Sequence, residues 1–212
     1  MDTPTTLARL TSAALAALAL TACQLPSAPA EPSSAPAAAS HELAALPVAP
    51  EDTGFPYDRD DWPHWSSSVG GGCDTRDLVL QKQARHVRVG EDCSLTGEWI
   101  SVYDGQVVTD PSALDVDHLV PLAEVARSGA RGWSEAQREA YANDPAVLVA
   151  VSASSNRAKG DQDPADWLPE RDRCGYAARW VQTKHRYRLT VDPAEAHALR
   201  SVLAHCPSGG ER

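Results

Sequence analysis

The chain has 212 residues, and 42% of them are hydrophobic, so it can bury a core in one or two domains. Its 19 Lys and Arg residues against 29 Asp and Glu residues give a formal net charge of −10 at pH 7. This sign argues against a protein that binds nucleic acid tightly through a broad basic surface, although it allows an enzyme that contacts a few phosphates locally.

The N-terminal stretch has the features of an export signal. Residues 10–20, "LTSAALAALAL", form an apolar run that is too short for a membrane span of about 20 residues. The run ends in "LTAC", whose small residues before Cys23 resemble the lipobox of bacterial lipoproteins. We predict a signal peptide over residues 1–22 and a lipid on Cys23, which would leave the protein secreted or anchored to the membrane at the cell surface. Ordinary secretion and a retained N-terminal helix are the alternatives.

The next stretch, residues 23–53, is rich in Ala, Pro and Ser. Such a composition buries too little apolar surface to offset the entropy lost on ordering. We therefore predict a disordered linker here, followed by one folded domain over residues 54–212.

Helix and strand patterns alternate through this domain, with turn residues between them. Asp74 or Thr75, Ser134 and Asp192 are suited to cap helices, and Asp104-Gly105 is typical of a hairpin turn. The predicted elements, in chain order, are a helix over 76–85, a strand over 86–89, a hairpin of 98–103 and 106–109, a strand over 114–120, a helix ending at 129, a helix after 134, a strand over 146–152 and three further helices. This mixture predicts an α+β fold with a small N-terminal hairpin.

Four cysteines remain besides Cys23, namely Cys73, Cys93, Cys174 and Cys206. None forms a C-x-x-C pair, which argues against a tetrahedral zinc site. Two disulfides are the natural expectation in an exported protein. Three pairings are open, and we favour Cys73–Cys93 with Cys174–Cys206 because each of these pairs flanks one compact segment.

The most informative motif lies where the strand over 114–120 ends. "DHLVPLAEVARSGARGWSEAQREAYAND" and "SSNRAKGDQDPADWLP", with "GGCDTRDLVL" upstream, resemble the HNH endonuclease superfamily. In more detail they resemble an exported HNH family related to the C-terminal domain of GmrSD restriction endonucleases. The resemblance covers residues 54–206. It implies an HNH nuclease domain with a ββα-metal core, in which a metal ion lies between a hairpin and a helix, and with added helices around that core.

The resemblance also implies roles for individual residues. His118 matches the general base of the family, Asp117 the first metal ligand and Asn156 the last one. It further implies that Lys159 is a catalytic group at the phosphate oxygens and that Arg157 and Arg76 contact the substrate.

Chemistry supports the same reading of these residue types. Hydrolysis of a phosphodiester needs a base for the attacking water and positive charge at the phosphate and the leaving oxygen. Mg²⁺, Mn²⁺ or another divalent cation takes oxygen ligands such as the Asp117 carboxylate and the Asn156 amide. Neutral imidazole, with an ordinary pKa of about 6.5, can accept the proton. We therefore expect the cleavage rate to fall as the pH drops through that value.

One position departs from the family pattern. Many HNH proteins carry an asparagine just before the leucine of the second strand, where it orients the base, but this chain has Val147 there. Asn143 or a backbone carbonyl are the candidates to replace it. Structural alternatives are open for the other residues, with Asn156 as a helix cap, Lys159 as a solvated lysine, and Asp163 as a residue that shapes its loop.

The function predicted from the sequence is an exported, metal-dependent HNH endonuclease that cuts DNA with low sequence specificity. We expect a monomer whose partner is nucleic acid, with DNA favoured over RNA. The alternative is a catalytically inactive cell-surface binding lipoprotein with an HNH-like fold. A hydrolase with a Ser-His-Asp triad is disfavoured because the chain has no G-x-S-x-G motif.

Overall fold

The computed structural model describes residues 35–54, 56–67 and 72–207. The predicted signal peptide and Cys23 lie outside these residues. Among the helices of the described part, none is both long and apolar enough to cross a membrane.

The described residues form a mixed helix and strand fold, as the sequence predicts. In chain order the elements are α1 (Ala35–Ala45), α2 (Thr75–Gln83), β1 (Arg85–Val89), β2 (Leu95–Ile100), β3 (Val107–Val108), β4 (Leu114–His118), α3 (Leu122–Val125), α4 (Glu135–Ala142), β5 (Leu148–Ser152), α5 (Ala153–Lys159), α6 (Arg173–Arg186) and α7 (Pro193–Ala204). Short 3₁₀ turns at Arg59–Asp61 and Pro111–Ala113 and a wide turn at Ala126–Ala130 complete the order.

Helix α1 differs from the disordered linker predicted over residues 23–53. Ala39, Leu43 and Leu46 on and just after this helix are buried, and α1 contacts α6 and α7. The physical reason is that alanine has the highest helix propensity, and its small side chain lets neighbouring helices approach closely. An Ala-rich stretch with leucines at helical spacing therefore forms part of the core, and the folded region begins before residue 54.

The strands form two separate antiparallel sheets. In the first, with the order β1-β2-β3, Trp99 of β2 pairs with Val108 of β3 across the predicted hairpin. Gly105 in the hairpin turn has a φ of 77°, a value that glycine tolerates well. In the second sheet β4 pairs with β5, and His118 lies opposite Leu148.

The connection between β5 and α5 matters most for function. Every residue of β5 is buried, and Ser152 at its end caps α5 by accepting a hydrogen bond from the Ser155 backbone. Helix α5 therefore starts directly after β5 and lies against both β4 and β5. The segment between the two strands, residues 119–147, carries α3 and α4.

Capping residues explain where several helices begin. Asp74 caps α2, Ser134 caps α4 and Asp192 caps α7, and each takes part in a reciprocal capping box. All three positions agree with the sequence prediction, which had left Asp74 and Thr75 open for the first helix.

Two disulfides tie the helices to their surroundings, and the favoured pairing is confirmed. Cys73–Cys93 joins the start of α2 to the connection between β1 and β2. Cys174–Cys206 joins the start of α6 to the residues after α7. In the chain-entropy description, each crosslink stabilises the folded state by roughly 3 kcal/mol.

A buried charge cluster holds α3, α6 and α7 together. The Lys184 ammonium donates to Glu124 at 2.6 Å, to Glu195 at 2.7 Å and to the Thr190 carbonyl at 2.9 Å. The side chains of Lys184, Glu124 and Glu195 have no exposed surface. Burial raises the pKa of Glu195 to about 7, against the opposing effect of Lys184. We call these three residues the core charge cluster.

Candidate active site

A cavity of about 410 Å³ opens where β4, α3 and α5 meet. The end of β4, the start of α3, helix α5 and a segment that precedes α2 all contribute to its wall. The lining residues include Tyr57, Arg59, Asp117, His118, Asn156, Arg157 and Asp161. Four of the residues predicted from the sequence therefore meet at one cavity.

The His118 ring is held in a fixed orientation. Its Nε2 lies 2.8 Å from the carbonyl oxygen of Ala142, which can only accept a hydrogen bond. Nε2 therefore carries the proton in the neutral ring, and Nδ1 keeps its lone pair. The ring lies between Trp65, at 6.0 Å between centroids, and Tyr141, at 6.1 Å, and both are roughly parallel to it.

Burial changes the acid–base behaviour of this histidine. Only 4% of His118 is exposed. The pKa of His118 is lowered to about 3, chiefly by desolvation and also by the nearby charges of Arg59 and Lys159, against the effect of the Ala142 hydrogen bond. The expected fall in rate near pH 6.5 is therefore revised, because the imidazole of the free protein is already neutral at that pH.

The structure places a backbone carbonyl, one of the two candidates, at the His118 ring. Val147 is buried, and the carbonyl of Ala142 holds the orientation of that ring. Asn143, the other candidate, instead accepts from the Ser66 backbone at 2.9 Å and donates to the Pro63 carbonyl at 3.0 Å. The Asn143 side chain thus holds the segment that carries Trp65, whose ring stacks on His118.

Asp117 has one occupied and one open carboxylate oxygen. The Tyr103 hydroxyl donates to Oδ2 at 2.6 Å, and the Lys159 ammonium lies 2.8 Å from the same atom. No described residue donates a hydrogen bond to Oδ1. A carboxylate fixed in this way, with 9% of its side chain exposed beside the cavity, can offer Oδ1 to a ligand.

Lys159 lies behind Asp117 and not on the cavity wall. Its side chain has no exposed surface, and its ammonium also donates to the His118 carbonyl at 3.1 Å. Burial lowers the pKa of Lys159, while Asp117 opposes that shift. The predicted contact of Lys159 with phosphate does not fit this position, because the ammonium is sealed off and already bonded to Asp117 and the backbone. Lys159 positions Asp117 instead.

Asn156 lies inside α5 and is not the cap of that helix. Its Nδ2 donates to Asp115 Oδ2 at 3.0 Å, so the amide oxygen remains without a donor among the described residues. Asp117 Oδ1 and Asn156 Oδ1 are thus two uncommitted hard oxygen atoms on residues that line one cavity. Their donor chemistry fits a divalent cation such as Mg²⁺ or Mn²⁺.

The charges around the cavity do not cancel. Asp117 is paired with Lys159, and Asp161 is paired with Arg127 at 2.9 Å. Arg157 is exposed on α5 and makes no ion pair or hydrogen bond with any described residue. The wall is therefore more positive than the chain as a whole.

Arg76 does not line this cavity. One terminal nitrogen of its guanidinium donates to the carbonyls of Pro111 and Leu114, each at 3.1 Å. These contacts fix the start of β4, whereas Asp117 and His118 lie at its end. The predicted contact of Arg76 with substrate does not fit a guanidinium used in this way.

Within the described residues, two other groups of acidic or cysteine side chains have possible metal-ligand atoms close together. Glu51, Asp163 and Asp192 form one, but the carboxylates of Asp163 and Asp192 already accept backbone hydrogen bonds. The other contains Cys73 and Cys93, whose sulfurs are joined in a disulfide. The loop-shaping role expected of Asp163 agrees with its bond to the backbone nitrogen of Ala165, at 2.6 Å.

Several residues of the site escaped the sequence analysis. Tyr103 is in the turn region after β2, and no spacing rule connects it with Asp117. Tyr57, Arg59 and Trp65 belong to the stretch "GFPYDRDDWPHW", whose aromatic and charged residues stand out but whose position in the fold gives no periodic signal. Only the packing of that stretch against His118 reveals its link to the site.

Comparisons with known proteins identify the family of this chain. The family described as GmrSD restriction endonucleases, C-terminal domain, matches residues 77–202, more than half of the chain. A protein of Arthroderma benhamiae, named an uncharacterized secreted protein, is 41% identical over 169 residues, which cover 77% of this chain and 82% of that protein. No solved structure matches the chain. With its family match over most of the folded region, the chain belongs to the family of the GmrSD restriction endonuclease C-terminal domain.

Proposed function

We propose that this protein is an exported, metal-dependent endonuclease that hydrolyses phosphodiester bonds of DNA with low sequence specificity. The observation that carries the proposal is the convergence of Asp117, His118, Asn156 and Arg157 on one cavity. Membership of a family of restriction endonuclease domains supports a nuclease-type function. The two disulfides fit an oxidising location outside the cytoplasm.

Strands β4 and β5 with helix α5 form the proposed ββα-metal core. Asp117 Oδ1 from the strand and Asn156 Oδ1 from the helix would hold the cation, and Asp115 would keep the Asn156 amide turned so that its oxygen is available. A cation bound there supplies positive charge at the phosphate and at the leaving 3′ oxygen. Tyr103 and Lys159 keep the Asp117 carboxylate in position.

His118 is the proposed general base. Because Nε2–H donates to Ala142, Nδ1 is the atom that accepts the proton of the attacking water. A pKa of about 3 leaves Nδ1 unprotonated but makes it a weak base in the free protein. The negative charge of a bound phosphate beside the ring would raise that pKa and strengthen the base when substrate is present.

The charge distribution suits a polyanionic substrate that is gripped locally. Arg157 carries a charge that no described acid neutralises, while the whole chain has a net charge of −10. Attraction confined to one cavity favours short-lived binding and turnover over tight sequence-specific binding.

The test is a plasmid nicking assay with purified protein. Mg²⁺ or Mn²⁺ should support nicking and EDTA should stop it. His118→Ala should abolish cleavage, whereas His197→Ala, which alters an exposed histidine on α7, should not. Unchanged cleavage by the His118 variant would refute the assignment. DNA binding without cleavage by the wild-type protein would favour the inactive binding lipoprotein instead.

A further inference from the structure

The segment of residues 56–67 precedes the region matched by the family, yet it forms part of the candidate active site. Tyr57 and Arg59 line the cavity, and Trp65 stacks on the His118 ring. We call residues 56–67 the front segment.

The front segment is fastened to helix α4 and its C-terminal end. The Ser66 backbone donates to Asn143, and the Ser66 hydroxyl donates to Glu139 at 2.8 Å. Arg138 donates to the Asp61 carbonyl at 2.6 Å. These bonds hold the chain at the end of the turn that carries Arg59 and again after Trp65, so the fold places this turn at the cavity.

Arg59 is a cation without an acid partner at that position. The neighbouring Asp58 uses its carboxylate to accept the backbone N–H of Asp60, and no described acid forms an ion pair with Arg59. Its hydrogen bond is a long one, 3.4 Å, to His64. The guanidinium therefore keeps most of its donors available beside the catalytic histidine.

Tyr57 adds an unused donor next to Arg59. Its hydroxyl is buried and has no hydrogen-bond acceptor among the described residues, and it lies close enough to the Arg59 guanidinium for that charge to oppose the rise in the Tyr57 pKa that burial causes. A buried polar group without a partner is rare in folded proteins, because it loses its bonds to water without replacement. A ligand oxygen in the cavity would satisfy this hydroxyl.

We propose that Arg59 and Tyr57 bind a phosphate group of the nucleic acid strand, on the side of the cavity formed by the front segment, and that Arg157 binds the strand from α5. A guanidinium presents paired N–H donors that match two phosphate oxygens, and the phenol donates to a third acceptor site. This inference rests on the proposed nuclease function. Its consequence is that the substrate site extends beyond the region that defines the family.

The test compares Arg59→Gln with Arg88→Gln, a matched change of an exposed arginine on β1 that does not line the cavity. Binding of a fluorescein-labelled DNA duplex is measured by anisotropy in EDTA across a salt series, and cleavage is measured with Mn²⁺. Arg59→Gln should weaken binding about tenfold and reduce the slope of log affinity against log salt by about 1. Arg88→Gln should change affinity by less than about twofold, as expected of a substitution away from the contact surface.

The two arms separate this inference from the proposed function. Cleavage by the wild type with unchanged affinity and salt slope in Arg59→Gln would overturn the inference and leave the nuclease proposal standing. Equal losses in both arginine variants would also overturn it, because they would reflect net charge alone. Binding that depends on Arg59 without any cleavage would support the inference and refute the nuclease proposal. A wild type that neither binds nor cleaves would refute both.

Thermal melting of Arg59→Gln should match the wild type, since Arg59 is exposed and weakly bonded.

Discussion

Two fully buried lysines, Lys184 and Lys159, each pair with carboxylates, and the two pairings serve different purposes. In the core charge cluster, Lys184 lies between Glu124 and Glu195, and none of the three side chains is exposed. At the candidate site Lys159 is equally buried, but its carboxylate partner Asp117 lines the cavity and has one oxygen to which no described residue donates.

The difference indicates where a ligand is expected. In the core charge cluster oxygen acceptors surround the Lys184 ammonium. The charges of the cluster therefore stabilise the contact of α3, α6 and α7, and the ammonium has no donor left for a ligand. At the cavity the pairing is incomplete. Among the described residues, no donor reaches Asp117 Oδ1 or the Asn156 amide oxygen, and the Tyr57 hydroxyl has no acceptor. Incomplete pairing beside a cavity favours ligand binding.

The largest effect is expected from Lys184→Met. It would leave two buried carboxylates in the core charge cluster without their cation, and loss of one partner of a buried ion pair costs about 3–5 kcal/mol. Urea unfolding followed by circular dichroism measures the loss. Lys82→Met, at an exposed position of α2, is the control and should leave the unfolding midpoint nearly unchanged. Equal midpoints for both variants would contradict the stabilising role of the cluster.

Lys159→Met should destabilise the protein less, on the order of 2 kcal/mol, because water or a cation can reach Asp117 from the cavity. Addition of Mn²⁺ should restore part of that loss in thermal melting, since a ligand that binds the folded state stabilises it by mass action. The same addition should stabilise Lys184→Met only by as much as it stabilises the wild type, because that variant keeps the Asp117 site unchanged. Recovery in neither variant would argue against a cation site at Asp117.

Tyr103→Phe should lower kcat/KM by about tenfold, because it removes one of the two donors that hold Asp117 Oδ2, a charge-assisted hydrogen bond. The matched control is Tyr176→Phe. The ring of Tyr176 lies 5.7 Å from that of Tyr103, and its buried hydroxyl has no partner among the described residues. The control should retain full activity, and a loss of activity in both variants alike would point to ring packing instead.

The smallest effect is expected from pH. Since the pKa of His118 is lowered from its ordinary 6.5 to about 3, chiefly by burial, this histidine is neutral in the free protein down to about pH 4. The value of kcat/KM, which reports the free enzyme, should therefore not fall through protonation of His118 between pH 8 and pH 5. A fall with a midpoint near pH 6.5 that disappears in a variant of His118 would show that the ring is more exposed than described.

Burial of His118 has a separate consequence for stability. The pKa of this residue in the folded state lies below its ordinary value, so the neutral ring is favoured by folding. Its contribution to stability is complete above pH 6.5 and is lost as the pH falls from 6.5 toward 3. Glu195 acts in the opposite direction, because its pKa is raised from 4.5 to about 7, and its contribution is lost as the pH rises across that interval.

Local signals in the sequence predicted much of the scaffold around the site. The apolar run of β5 and the capping residues of α2, α4 and α7 depend on neighbours within a few positions, which a sequence displays directly. The cysteine pairs were predicted for a similar reason, since each encloses one segment. These are the features that place Asp117 and Asn156 on adjoining elements.

Features that depend on distant parts of the chain could not be predicted in this way. The low pKa of His118 arises chiefly from its burial, and the rings stacked on it, Trp65 and Tyr141, lie 53 and 23 positions away in the sequence. The inward position of Lys159 follows from the way α5 lies on β4. Helix α1 was missed because its composition is typical of linkers, and only the surface offered by α6 and α7 gives its alanines and leucines a place in the core.

The central claim is that Asp117 and Asn156 hold a divalent cation, and Mn²⁺ titration followed by electron paramagnetic resonance tests it most directly. The wild type should bind Mn²⁺ at one site, and Asp117→Asn should weaken that binding by more than about 100-fold. This loss exceeds the roughly 10- to 100-fold typical when a residue that only hydrogen-bonds a metal ligand is changed. Glu51→Gln, in the other carboxylate group, should bind Mn²⁺ as the wild type does. Wild-type affinity in Asp117→Asn, or loss of binding in Glu51→Gln instead, would contradict the account.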